Sequence, residues 1–164
     1  MVHIFEKFSY LGLFAILLIE EAGVPLPIPG DIFIGTASAL PNSNYFPVVA
    51  VVVSATLIGS TILFTLSSKV ANPLLLKFGP KIKITPEKIK KVEKWFEKYG
   101  GFTIVIGRLI PGLRIITPIV AGIFGVSYRT FWLYTALAAF IWANIYFLIG
   151  KFSGEILAQL SNLI

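Results

Sequence analysis

Two stretches of the chain contain no ionisable Asp, Glu, Lys or Arg: residues 46–68 (FPVVAVVVSATLIGSTILFTLSS) and 131–149 (FWLYTALAAFIWANIYFLI). Each reaches the roughly 20 residues a helix needs to cross a hydrocarbon core about 30 Å thick. A single run of this kind also occurs as the buried core helix of a soluble protein. Two within 164 residues point instead to a membrane. Composition agrees, since 13% of the residues are charged against about 25% in soluble domains. In hydrocarbon every backbone polar group must be satisfied internally, which favours helices. The expected class is therefore an all-α integral membrane protein, a single membrane domain over residues 1–164.

The chain has no cysteine, so disulfides and thiolate chemistry are excluded. Its net charge of +6 fits anionic lipid headgroups, not nucleic acid, in a chain this apolar. Residues 10–19 resemble a signal-peptide core, but no basic leader precedes them and Glu20-Glu21 follows where small cleavage-site residues belong. The N-terminus is expected to be retained.

The other apolar segments are short. Residues 32–40 would extend about 14 Å as a helix, half a membrane. They lie between Pro29-Gly30-Asp31 and the turn Pro41-Asn42-Ser43-Asn44. Residues 102–106 and 115–124 flank a second break, from Gly107-Arg108 through Pro111-Gly112 to Arg114. Half-length segments around a polar or Pro/Gly-rich break are the pattern of re-entrant hairpins or broken transmembrane helices. Re-entrant elements are expected at 20–40 and 102–124, and spans at 46–68 and 131–149. Between the spans, residues 69–98 hold nine lysines against three glutamates, which places that segment on the cytoplasmic side. Thr85-Pro86-Glu87 starts a helix, and Ile89, Val92, Trp95, Phe96 and Tyr99 share one face of it. An amphipathic surface helix is expected at 86–99. Residues 1–84 and 85–164 then form two halves of similar plan, an inverted pseudo-symmetric repeat if both breaks are re-entrant.

Charge is costly at two places. In EEAGVPLPIPGD (20–31), Pro25, Pro27 and Pro29 hold an extended segment between Glu20, Glu21 and Asp31. In 107–114, Arg108 and Arg114 flank Pro111-Gly112. An ionised group inside a bilayer costs about 3 kcal/mol, which makes it a functional hypothesis by default. Arginine grips phosphate oxygens in a bidentate fork. Plainer readings stand beside these: Asp31 as N-cap of the helix 32–40, Glu20 and Glu21 as solvated edge residues, and both arginines snorkelling to the interface. Ala55 with Gly59, and Ala139 with Ala143, read as helix-packing faces. Asn144 reads as an interhelical hydrogen bond. The sequence requires no cofactor or metal, and it contains no phosphate-binding glycine loop or nucleophilic triad.

The segments EEAGVPLPIPGD (20–31), GRLIPGLRIITPIVAG (107–122) and VSYRTFWLYTALAAFIWA (126–143) resemble the signature regions of the DedA membrane proteins. The most specific is the second, with Gly-Arg, Pro-Gly, an arginine six residues on, then Pro118 and Gly122. The resemblance implies a fold similar to the VTT-domain scramblases, with two re-entrant helices facing each other in the membrane. It implies transport of polyprenyl phosphate or phospholipid between leaflets of the cell membrane, often coupled to the proton motive force. It would put the essential acids on Glu21 or Glu20 and on Asp31, and the essential arginines on Arg108 and Arg114. The double glutamate leaves the first acid ambiguous. The implied partners are membrane lipids, a lipid phosphate substrate and protons, with no covalent chemistry, and assembly as a homo-oligomer is left open. Alternatives are a proton-coupled cation antiporter, a lipid-phosphate phosphatase, or a structural protein that shapes the bilayer.

The lysine-rich segment sets the topology. Single cysteines at Ser43→Cys and Lys90→Cys, in this cysteine-free chain, should label from opposite faces of the membrane. Labelling of both from one side would contradict the expected orientation.

Overall fold

The computed structural model describes residues 2–24, 26–40, 43–78, 94–96, 98–110 and 112–161. Most of these residues are helical, and there is no strand among them. The main helices are α1 (Val2–Glu21), α2 (Gly30–Ala39), α3 (Tyr45–Phe78), α4 (Phe102–Leu109), α5 (Ile116–Ile123) and α6 (Tyr128–Ser161). Two are long and apolar enough to cross a membrane, over Tyr45–Lys69 in α3 and Tyr128–Ile156 in α6. They contain the two expected spans and continue past Lys69 and Lys151. A lone lysine has a long apolar stem and does not stop a helix.

The short segments also grow when folded. The apolar run 10–19 is only part of α1, which begins at Val2. Helix α4 runs past residue 106 to Leu109, so Gly107 and Arg108 are helical and not part of the break. Most of the expected surface helix 86–99 lies outside the described residues. Its end is helical at 94–96 and 98–99, and Gly100 closes it at φ 52 with its N–H on the Phe96 carbonyl, 2.7 Å away.

The chain packs as two compact units, Met1–Gly59 with Ala139–Ile164, and Ser60–Ala138. In the first, the core holds Leu13 and Leu17 of α1, Ile34 of α2, Val48, Val52 and Ala55 of α3, and Ala139, Trp142, Ala143 and Phe147 of α6. Tyr45 donates its hydroxyl proton to Asn144 Oδ1 at 2.7 Å and meets the Phe147 ring edge-on at 5.2 Å, so Asn144 does make the expected interhelical bond. Small residues let backbones approach. A Cβ on Gly59 would sit 2.6 Å from Glu21 Cβ and 2.7 Å from the Leu18 carbonyl oxygen; on Gly154, 2.5 Å from the Ala39 carbonyl oxygen. Gly150 is equally close to the Gly35 carbonyl, so the glycine pair 150 and 154 seats α6 on α2. This spacing is a known packing signal in membranes.

The second unit is built on Phe64, Ile104, Ala121 and Phe131, with Phe96, Val126 and Tyr134 packed around them. The Phe64 and Phe131 rings stack at 4.2 Å, and the Tyr128 hydroxyl lies 3.1 Å from Thr65 Oγ1. The start of α6 is therefore held beside the Lys69 end of α3. A Cβ on Gly122 would stand 2.5 Å from the Phe64 carbonyl oxygen, which brings α5 against α3. Leu133, Leu148, Phe152 and Ile156 remain more than half exposed along α6, as suits a surface bathed by lipid.

These approaches predict opposite signs for one substitution. Gly122→Ala and Gly154→Ala each push a methyl into backbone and should destabilise by about 1–3 kcal/mol. Gly12→Ala, on α1 with nothing within 4 Å of the new methyl, should stabilise by about 0.5–1 kcal/mol. Thermal unfolding in detergent measures all three.

Candidate functional site

The acidic cluster grows from the way α1 ends. Gly23 adopts φ 94, its N–H bonds the Glu20 carbonyl at 3.0 Å, and the Val24 N–H bonds the Ile19 carbonyl at 3.2 Å. This pair of bonds is the Schellman closure, which needs a residue tolerant of left-handed backbone. It leaves both glutamates in the last turn, facing inward: Glu20 is 7% exposed and Glu21 1%. They are not solvated edge residues of the fold. Glu21 and the adjoining α1 backbone abut Gly59 of α3. Gly59 lies fourteen residues from Tyr45 and ten from Lys69, or about 21 and 15 Å along the helix axis.

After the break, α2 begins at Gly30 with Pro29 at the N-cap, in extended conformation with no side-chain cap bond. Asp31, for which the N-cap was one of two readings, is instead inside the first turn and half-buried. The capping carboxylate belongs to the previous helix: Glu20 Oε2 accepts the Gly30 N–H at 3.0 Å in a buried bond. A Cβ on Gly30 would collide with that same oxygen, and Leu17 Cδ2 would be 2.6 Å away. Gly30 is thus required by the closeness of the carboxylate. A negative charge also sits well at the positive end of the α2 dipole. Pro27 and Pro29 are exposed; Pro25 lies outside the described residues.

The basic cluster occupies the second helix–break–helix. Arg108 falls in the last turn of α4, where a cation suits the helix dipole, yet it is only 4% exposed. The chain reverses at Gly112, φ 84, where the Leu113 N–H meets the Ile110 carbonyl at 3.1 Å. Pro111 lies outside the described residues. Arg114 is half-buried just before α5. Gly107 lets the two helices close, because a Cβ there would be 2.5 Å from Thr117 Oγ1. Pro118 is buried in the first turn of α5, where a missing N–H leaves no broken bond. Gly125, φ 66, ends α5 by a second Schellman closure, Gly125 N–H to Gly122 and Val126 N–H to Ala121.

Arg108 and Arg114 therefore stand on either side of the break between α4 and α5, and Glu20 and Glu21 stand across the break between α1 and α2 from Asp31. Sequence reasoning passed over the buried hydroxyls of the long helices, Thr56, Ser60 and Thr135, which vanish inside an apolar run. It also passed over Gly150 with Gly154, whose four-residue spacing was the available signal.

The VTT domain family matches residues 28–152 of the chain. The uncharacterized membrane protein YbfM of Bacillus subtilis is 28% identical over 152 residues, covering 91% of this chain and 93% of the relative. Protein DedA of Escherichia coli is 31% identical over 160 residues, covering 94% and 73%. Undecaprenyl phosphate transporter A of Staphylococcus aureus is 28% identical over 154 residues, covering 89% and 74%. No solved structure matches the chain significantly.

The Glu20–Gly30 bond predicts a graded series. Glu20→Ala removes the cap and should destabilise by about 1 kcal/mol, within the 0.5–2 typical of lost caps. Glu20→Gln keeps an acceptor oxygen and should lose less. Gly30→Ala should match or exceed Glu20→Ala, since its methyl displaces the carboxylate. A melting series with Glu20→Gln as damaging as Glu20→Ala would remove the hydrogen bond from the explanation.

Proposed function

Since this chain belongs to the VTT-domain family, the DedA membrane proteins, we propose that it moves a phosphate-bearing lipid between the leaflets of the cell membrane. Polyprenyl phosphate and phospholipid are the candidate substrates, and the proton motive force the proposed drive. The observation that carries the proposal is the burial of Arg108, 4% exposed at the end of a two-turn helix. Burying a guanidinium inside a membrane protein costs about 3 kcal/mol, and such groups mark substrate or ion pathways. The relative named for undecaprenyl phosphate transport supports a lipid phosphate as cargo.

In this reading Arg108 and Arg114 bind the phosphate, through bidentate charge-assisted bonds that a lysine reproduces poorly. Asp31 and Glu21 exchange the proton, while Glu20 is tied to the α2 backbone. The protein acts as a translocase without covalent chemistry.

Three observations favour re-entrant breaks. Helices α4 and α5 have eight residues each, about 12 Å, too short to cross the core. The Tyr128–Thr65 contact sets the start of α6 beside the Lys69 end of α3, as expected if the chain enters and leaves by one face. On the acidic side, the contact of Glu21 with Gly59 favours a break well inside the apolar stretch Tyr45–Lys69. The repeated order of helix, break, short helix and long helix supports two pseudo-symmetric halves, with the lysine-rich segment cytoplasmic.

The test is reconstitution into liposomes with a leaflet-resolved lipid-phosphate assay. Arg108→Ala and Arg114→Ala should each slow transport at least about tenfold, the loss of about 1.5–3 kcal/mol expected for a hydrogen bond to a charged group. Lysine at either position should rescue only in part. Asp31→Asn should abolish the response to an imposed pH gradient in a folded protein. Normal transport in both arginine-to-alanine variants, at matched protein levels, would end the case for a phosphate site.

A further inference from the structure

A groove of about 770 Å³ runs along the second unit, lined by Thr61 of α3 and by Tyr128, Arg129, Trp132, Leu133 and Ala136 of α6. Four of these, 129, 132, 133 and 136, recur at helical spacing and so form one stripe down the first two turns of α6. The stripe changes character along its length. It opens with Arg129, passes the aromatic Trp132, and continues as Leu133 and Ala136 beside Thr61. Tyr128, Trp132 and Leu133 are each about half exposed or more, and Arg129 is exposed. No hydrogen bond or ion pair among the described residues engages the Arg129 guanidinium.

We propose that this groove is a docking site for one anionic phospholipid of the surrounding leaflet, separate from the transported lipid. Its phosphate sits on Arg129 and one acyl chain lies along Trp132, Leu133 and Ala136. Three features select this occupant. The groove opens at the start of an apolar membrane-length stretch, Tyr128–Ile156, where hydrocarbon is the surrounding solvent and an apolar trough is filled by a chain. Tyr128 and Trp132 bracket the arginine as aromatic residues do at headgroup level. The arginine also stands in the first turn of a long helix, where the dipole disfavours a cation, so an anion at that point offsets both charges. Ser127 already caps the helix by accepting the Thr130 N–H at 3.2 Å, so the anion's partner is the guanidinium and not a bare helix end.

The groove contains its own reporter. The chain has three tryptophans, and Trp95→Phe with Trp142→Phe leaves Trp132 alone. The full chain is reconstituted in phosphatidylcholine vesicles containing an equal mole fraction of dibrominated phosphatidylglycerol or dibrominated phosphatidylcholine, and bromine quenching of Trp132 is measured. The anionic lipid should associate about fivefold more strongly, the advantage one basic residue gives at a membrane surface. Arg129→Gln should bring the ratio to about one, whereas Arg129→Lys should keep most of it. Equal quenching by both lipids in the parent would mean an unselective lipid annulus and would overturn the site, as would a preference that survives Arg129→Gln. Arg108→Ala should leave the preference intact whatever it does to transport. A preference lost in Arg108→Ala and kept in Arg129→Gln would move the lipid to the hairpin and overturn the proposal.

Discussion

A break between packed helices leaves backbone N–H and C=O groups without intrahelical partners, and each one buried unsatisfied costs several kcal/mol. The bond from the Gly30 N–H to Glu20 Oε2 answers that constraint at the first break. It explains why an acid buried to 7% exposure stands at the end of α1 and why the residue opposite has no side chain. The same constraint accounts for the Schellman closures at Gly23 and Gly125, which return carbonyls to N–H groups where α1 and α5 stop. It accounts as well for Pro118 in the first turn of α5, a position that has no intrahelical use for the N–H that proline lacks. Gly23, Gly30, Pro118 and Gly125 thus each sit where a helix end has its backbone groups met or needs none.

How legible these features were depended on the range of the interaction. The long helices were legible because an unbroken apolar run is a local property, and the family was legible because its motifs are contiguous. Arg108 and Arg114 stood out because charge within apolar sequence is rare. The length of α1 was hidden by Glu6 and Lys7, which interrupt hydrophobicity without interrupting a helix. Asp31 was one candidate for the cap of α2 because local spacing favours the nearest carboxylate, whereas the residue bonded to Gly30 comes from ten positions upstream. No periodicity encodes a contact made across a break.

Between helices the attraction differs from that in a soluble core. Lipid tails are as apolar as leucine, so little is gained by removing a side chain from them, and close van der Waals contact takes over. Gly59 against α1, Gly122 against α3, and Gly150 with Gly154 against α2 supply that contact by letting backbone meet backbone. Each glycine weakens its own helix slightly, a local cost offset by packing. This is why the outward faces can be left to large apolar residues, while small ones fill the contacts.

The apolar stretch Tyr45–Lys69 spans 25 residues, about 37 Å of helix against a core of about 30 Å. The surplus of roughly 7 Å must be absorbed by tilting the helix or thickening the bilayer around it, each at a fraction of a kcal/mol per ångström. Bilayer thickness therefore bears directly on α3, and through Gly59 and Gly122 on α1 and α5, which pack against it. A membrane that thins or thickens changes the inclination of α3, and with it the geometry that both breaks must accommodate. Hydrophobic mismatch is thus a mechanical input to this fold, delivered to α1 and α5 through two glycine contacts.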